Sequence, residues 1–141
     1  MKRFMALILV TMLMICLGSV ALADENETRA SDYFSTYAIT LSKAGSAKIN
    51  ITFSCSSAGG TASQIGVSNY SVQRYDEDDL EWDTVSGPNS GSYSYNASSH
   101  SFAKTFQGVN GEKYRVKCTF LCTKNGTTET KSYTSRTITL P

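Results

Sequence analysis

Residues 110–126 read NGEKYRVKCTFLCTKNG. The stretch lies between two Asn-Gly pairs, each suited to a tight turn because Asn and Gly tolerate positive φ. Within it, Tyr114, Val116, Cys118, Phe120 and Cys122 alternate with Arg115, Lys117, Thr119, Leu121 and Thr123. A period of two with one apolar side predicts a strand with a single buried face. The same signature recurs upstream, where Ile49, Ile51, Phe53 and Cys55 alternate with Asn50, Thr52 and Ser54.

Outward from these anchors the period stays at two, with no sustained 3.6-residue apolar repeat. Tyr33, Tyr37, Ile39 and Leu41 alternate with Phe34, Thr36, Ala38 and Thr40 as a first strand, and residues 43–46 (KAGS) form a turn. Residues 56–62, with Gly59-Gly60, predict a flexible connection. Ile65 and Val67 start a short strand, and Tyr70 and Val72 share a face of the next. A hairpin around residues 76–79 returns through Trp82 and Val85, and residues 86–91 (SGPNSG) predict a loop. Tyr93 and Tyr95 mark another extended piece, followed by residues 102–106. The last strand, from Thr128 to Leu140, changes parity between Tyr133 and Ile138, which a bulge near Ser135 reconciles. Seven to nine short antiparallel strands predict an all-β fold, a single β-sandwich of immunoglobulin-like or fibronectin-III-like type.

The chain has 141 residues and a formal net charge of +1. Lys2 and Arg3 precede an apolar run from Phe4 to Val20, and Ala21-Leu22-Ala23 supplies a small-residue cleavage site. Residues 1–23 therefore read as a secretory signal peptide, short for a membrane span. An uncleaved anchor is the alternative, and Ile15 before Cys16 argues against lipidation there. Residues 24–31 (DENETRAS) are polar and aperiodic, a disordered leader, and residues 32–141 form the domain. Without residues 1–23 the formal charge is −1, which gives little long-range attraction for nucleic acid or an anionic membrane. The expected location is extracellular, and with no C-terminal sorting motif release is favoured over anchoring.

Three cysteines follow the cleavage site: Cys55, Cys118 and Cys122. Four residues of strand separate the last two by about 13 Å, too far for a disulfide between them. In a sandwich whose second and sixth strands run the same way, Cys55 and Cys122 both end their strands just before a turn. The expected disulfide is therefore Cys55–Cys122, with Cys118 a free buried thiol. The alternative is three small core residues, and a zinc site lacks a fourth ligand at suitable spacing. Neither Cys118 nor Cys122 has a Tyr two residues before it, so an immunoglobulin tyrosine corner is absent at that spacing.

Residues 65–85 (IGVSNYSVQRYDEDDLEWDTV) and 98–140 (SSHSFAKTFQGVNGEKYRVKCTFLCTKNGTTETKSYTSRTITL) carry an Ile-Gly-Val run, a Trp hairpin, Ser-His-Ser, Gly-x-x-Tyr and Lys-Asn-Gly. In these the chain resembles a family of small secreted proteins of Gram-positive bacteria (Firmicutes), defined by a domain of unknown function. The resemblance implies a secreted bacterial β-protein and carries no activity, ligand or catalytic residue.

Residues 76–83 (DEDDLEWD) hold six carboxylates. They read as a solvated hairpin tip or as a weak cation site through Asp76, Asp78 and Asp79; the spacing is not that of an EF-hand loop. His100, the single His, is a surface strand residue or, more remotely, the base of a small hydrolase. Its neighbours Ser99 and Ser101 point to the opposite face, and no nucleophile-elbow, metalloprotease, phosphate-loop or dinucleotide motif occurs. Trp82, Tyr93 and Tyr95, with Tyr70 and Tyr75, are candidate ligand contacts for a glycan or protein partner, or else packing for a core short of aliphatics. Five of the seven Asn (Asn26, Asn50, Asn69, Asn96, Asn125) stand in N-x-[ST] sequons, glycan acceptors in a eukaryotic secretory pathway and a composition effect of the many Ser and Thr if the source is bacterial, as the resemblance implies. The expected function is a secreted non-catalytic binding module without a cofactor; a structural or protective exoprotein is the alternative. Oligomeric state is not legible.

Overall fold

A computed structural model describes residues 31–141. The expected signal peptide, Cys16, Asn26 and all of the leader but Ser31 lie outside the described residues. Eight strands follow: β1 (Phe34–Lys43), β2 (Lys48–Ser57), β3 (Ala62–Asp76), β4 (Glu81–Ala97), β5 (Ser99–Gln107), β6 (Lys113–Lys124), β7 (Thr127–Thr134) and β8 (Ile138–Thr139). They form two antiparallel sheets, A in the order β1-β2-β5 and B in the order β4-β3-β6-β7, with β8 also paired to β6. The inner faces meet in one core, where Ile49, Phe53, Ile65, Val67, Val116, Phe120 and Cys122 have no exposed surface. Phe53 stacks on Phe102 at 4.6 Å and meets Tyr70 at 5.0 Å, joining the two sheets by ring packing. Tyr70 is thus a core residue, not an extension of a binding face.

β2 and β6 bury the residues their alternation names. Asn125 and Gly126 turn β6 into β7 with φ of 51° and 76°, the pair of positive values that a two-residue hairpin needs. The turn at Asn110-Gly111 instead carries the chain from sheet A to sheet B. Beside it the buried Tyr114 hydroxyl accepts the Val109 N–H at 2.9 Å. This is the position and bond of a tyrosine corner, displaced from the Cys spacing expected of it.

The parity change in the last strand is a bulge at Ser135. Its N–H donates to Val116 O at 2.8 Å, and its hydroxyl accepts the Val116 N–H at 2.9 Å, so a side chain completes the ladder. In β1 a register shift between Phe34 and Thr36 turns Phe34 inward to 4 % exposure, against the side its sequence parity gives it. Ser31, assigned to the leader by sequence, is engaged: its hydroxyl donates to Glu129 and accepts the N–H groups of Tyr33 and Phe34.

The predicted loop at residues 86–91 is part of β4, which pairs with β3 at Ser86, Asn89, Ser90 and Ser92 across two register shifts. Gly91 answers to crowding, and Gly87 to crowding together with a positive φ of 111°. A Cβ on Gly91 would lie 1.9 Å from Val67 O, and one on Gly87 2.8 Å from Tyr70 O.

Candidate functional site

The outer face of sheet B takes the side chains that alternate with the core set. On β4 these include Trp82, opposite Tyr75, and Tyr93 and Tyr95, opposite Gly66 and Gln64. Across β3, Leu121 of β6 stands in the row of Tyr93 and Gly66, and Arg115 stands opposite Gln73. Trp82, Tyr93 and Tyr95 therefore share one face, but they lie at opposite ends of β4; Tyr75 joins them from β3, and Tyr70 does not.

At the hairpin end the rings are already engaged. The Arg115 guanidinium lies 4.2 Å over Trp82, Trp82 packs on Tyr75 at 5.2 Å, and Lys113 Nζ stands 5.5 Å over Tyr75. Arg115 Nε donates to Gln73 Oε1 at 2.8 Å, and Lys113 pairs with Glu77 at 2.8 Å. The Glu77 hydrogen bond raises the Lys113 pKa; partial burial lowers that of Arg115. This cation–aromatic ladder fills the base of the β3–β4 hairpin and holds Trp82 half-buried.

The other end is open. Tyr95 is 67 % exposed and Tyr93 is half-buried. Neighbours at i and i+2 on a strand lie about 6–7 Å apart on one face. Tyr93, Tyr95 and Leu121 thus form a shallow surface that suits stacking against a planar or apolar group.

At the acidic tip, Asp76 Oδ1 accepts the N–H groups of Asp78 (2.9 Å) and Asp79 (3.3 Å). The carboxylate thereby closes its own turn. Among the described residues no three His, Cys, Asp or Glu side chains converge as a metal-binding group, and Asp76, Asp78 and Asp79 do not. A polar cleft of about 290 Å³ separates this tip from residues 111–113, lined by Arg74, Tyr75 and Lys113 as well as Asp76, Glu77, Asp78 and Glu112.

His100 corrects the surface reading. It faces inward opposite Cys55, is 9 % exposed, and packs 5.6 Å from the Phe102 ring. Its Nδ1 shares a 2.8 Å hydrogen bond with Ser94 Oγ, linking β5 of sheet A to β4 of sheet B, while its buried Nε2 has no partner. Burial pushes the imidazole pKa down and favours the neutral ring. A Ser–His pair is thus present, formed with Ser94 rather than Ser99 or Ser101. Among the described residues no carboxylate orients the second ring nitrogen.

Cys55, Cys118 and Cys122 are buried free thiols, so the expected Cys55–Cys122 bond is not formed in this structure. Burial, reinforced by the nearby Cys122, pushes Cys55 up to about 12. Burial and then Cys55 do the same to Cys118. All three stay protonated and poorly nucleophilic near neutral pH. Cys55 has both other cysteines as neighbours, consistent with the inward parity of all three.

The tyrosine corner and the Ser94–His100 bridge escaped the sequence reading. Gly111-x-x-Tyr114 was a signal for the first; nothing local announces the second, because its partners belong to different sheets. No protein-family model matches this chain, and no curated protein or solved structure does so either.

Proposed function

We propose that the chain is a secreted, non-catalytic β-sandwich module that binds a glycan or protein partner through the outer face of sheet B. The observation that carries this reading is Tyr95, 67 % exposed beside Tyr93, in a domain whose other aromatic rings are engaged in packing. Stacking on a sugar or peptide face uses exposed rings of this kind. The loops beyond the β2, β4 and β6 ends are short, and Lys124 Nζ ties Ala58 O across two of them, which favours a face over a loop cluster.

The signal peptide ending at Ala23 and the resemblance to secreted Firmicutes proteins support export. The placement of β4 beside β3, rather than in the sheet of β1, favours the fibronectin-III-like alternative over an immunoglobulin constant-type arrangement. Cys55 and Cys122 join on export in this reading, losing two hydrogens to the secretory oxidant and leaving Cys118 free. Intact mass and peptide mapping of the secreted protein test that pairing; three free thiols, or a Cys55–Cys118 link, contradict it.

Binding is tested by capture of cell-envelope polymers and envelope proteins from the host, comparing the protein with Tyr95→Ala. Loss of capture without a change in unfolding midpoint supports the face; undiminished capture contradicts it. The structural exoprotein is the second reading, favoured by the Arg115–Trp82–Tyr75–Lys113 ladder, in which half-buried aromatics on the outer face serve packing. It expects no capture by either form.

A further inference from the structure

Among the described residues each sheet has two edges with no further strand paired to them: β1 and β5 on sheet A, β4 and β7 on sheet B. An open edge is a row of unpaired N–H and C=O groups, and folded proteins blunt it with bulges, proline or inward-pointing charges. Three edges here carry such a device. β7 sets Glu129 and Lys131 on its inward parity, opposite Cys122 and Phe120, where they pair at 2.7 Å. β4 has two register shifts and Pro88, which lacks an N–H. β5 sets Lys104 opposite the buried Ile51. β1 has its register shift only at the Phe34–Thr36 end and its one charge at Lys43; between them residues 36–42 (TYAITLS) contain no charge, no proline and no register shift.

The groups that face outward follow from the alternation of an antiparallel ladder. The 2.9 Å bond from Ala44 N to Lys48 O assigns the even residues of β1 to hydrogen-bonded pairs with β2. The N–H and C=O of Tyr37, Ile39 and Leu41 therefore point along the open edge. The side chains of the same residues turn toward the core. Beside them, between the sheets, runs a groove of about 430 Å³ lined by Ile39, Leu41, Tyr133 and Ile138, with exposed Arg136 at its rim. Hydrogen-bonding groups and an apolar floor thus coincide along the unguarded middle of this edge.

We propose that β1 is a dimerisation edge and that its occupant is β1 of a second copy of this chain, antiparallel about a two-fold axis at Ile39. The segment is its own complement. Centred on Ile39, the register sets Tyr37 against Leu41 of the second copy, and each facing pair exchanges two hydrogen bonds. On the solvent side Ala38 meets Thr40 of the second copy, with no opposed charge. The outer edges of the joined sheet are then the two β5 strands with Lys104, so the isologous pairing closes rather than growing into a fibre. This edge lies on sheet A, so the inference stands or falls separately from the ligand face on sheet B.

Sedimentation velocity over a concentration series is the test, with amide exchange read residue by residue. The protein should dimerise, and the amides of Tyr37, Ile39 and Leu41 should gain protection with concentration, while those of Ala38 and Thr40 are protected throughout. Ala38→Lys with Thr40→Lys opposes like charges twice on the solvent face and should weaken the dimer about tenfold. Ala38→Lys with Thr40→Glu pairs opposite charges instead and should restore it. A protein that stays monomeric to its solubility limit overturns the proposal. So does a double-Lys variant that dimerises as well as the parent. Protection of the odd amides that ignores concentration also overturns it, because the chain's own remaining segment then covers the edge.

Discussion

Sheets A and B have similar inner faces and very different outer ones. The outer face of sheet A is built of rows such as Thr36–Ser56–Ser99, Ala38–Ser54–Ser101 and Thr40–Thr52–Ala103, small residues without a charge. The outer face of sheet B carries Tyr75, Trp82, Tyr93, Tyr95, Leu121, Lys113 and Arg115. Folding requires the apolar inner faces but no such difference outside. Hydroxyl-lined surface leaves water undisturbed, whereas exposed rings leave apolar area in water that a ligand can cover. The asymmetry is what the proposed ligand face on sheet B rests on.

The largest expected effect comes from the core that both faces share. Phe53→Ala on sheet A and Phe120→Ala on sheet B each remove a fully buried ring and should cost about 3–5 kcal/mol of unfolding free energy. Denaturant unfolding followed by fluorescence and circular dichroism should show one coincident transition in both variants. Separate transitions would mean that the two sheets are not one cooperative unit, and the comparison of their faces would lose its basis.

The next effect tests the seam between the edges of the two sheets. His100 titrates at a depressed pKa in the folded protein, so the unfolded chain binds its proton first as the pH falls. The stability present above the ordinary His value of about 6.5 is then lost as the pH falls through the folded value. His100→Phe keeps a ring beside Phe102 and should flatten that part of the pH profile. An unchanged acid slope would place the proton elsewhere.

The smallest effects separate the outer faces directly. Trp82→Ala breaks the Arg115–Trp82–Tyr75 stack and should cost about 1 kcal/mol. Ser54→Ala, in the middle of the sheet A face, should stay within about 0.5 kcal/mol. Equal losses at the two positions would remove the energetic distinction between the faces.

Much of the fold was legible because alternation is local. Ile49 to Cys55 and Tyr114 to Cys122 bury the residues their pattern names, and Ser135 sits at the predicted parity change. The misreadings share a physical cause: each depended on a partner strand. Phe34 faces inward only because the β1 register shifts against β2. Residues 86–91 carry Gly and Pro, which suggest a loop, yet Gly87 and Gly91 are needed where β4 crowds β3. His100 is buried because Ser94 meets it from the other sheet. Of the candidate site, the residue types and the shared face of Tyr93 and Tyr95 were legible from alternation. The split between an engaged Trp82 and an exposed Tyr95 appears only when the register places Arg115 beside Trp82.

The most direct test of recognition through sheet B is amide chemical-shift mapping of the protein against the envelope fraction it captures. The account predicts perturbations centred on Tyr93, Tyr95 and Leu121, with the Thr40–Thr52–Ala103 row silent. Perturbations confined to the outer face of sheet A, or none at a concentration where capture is saturated, would contradict it.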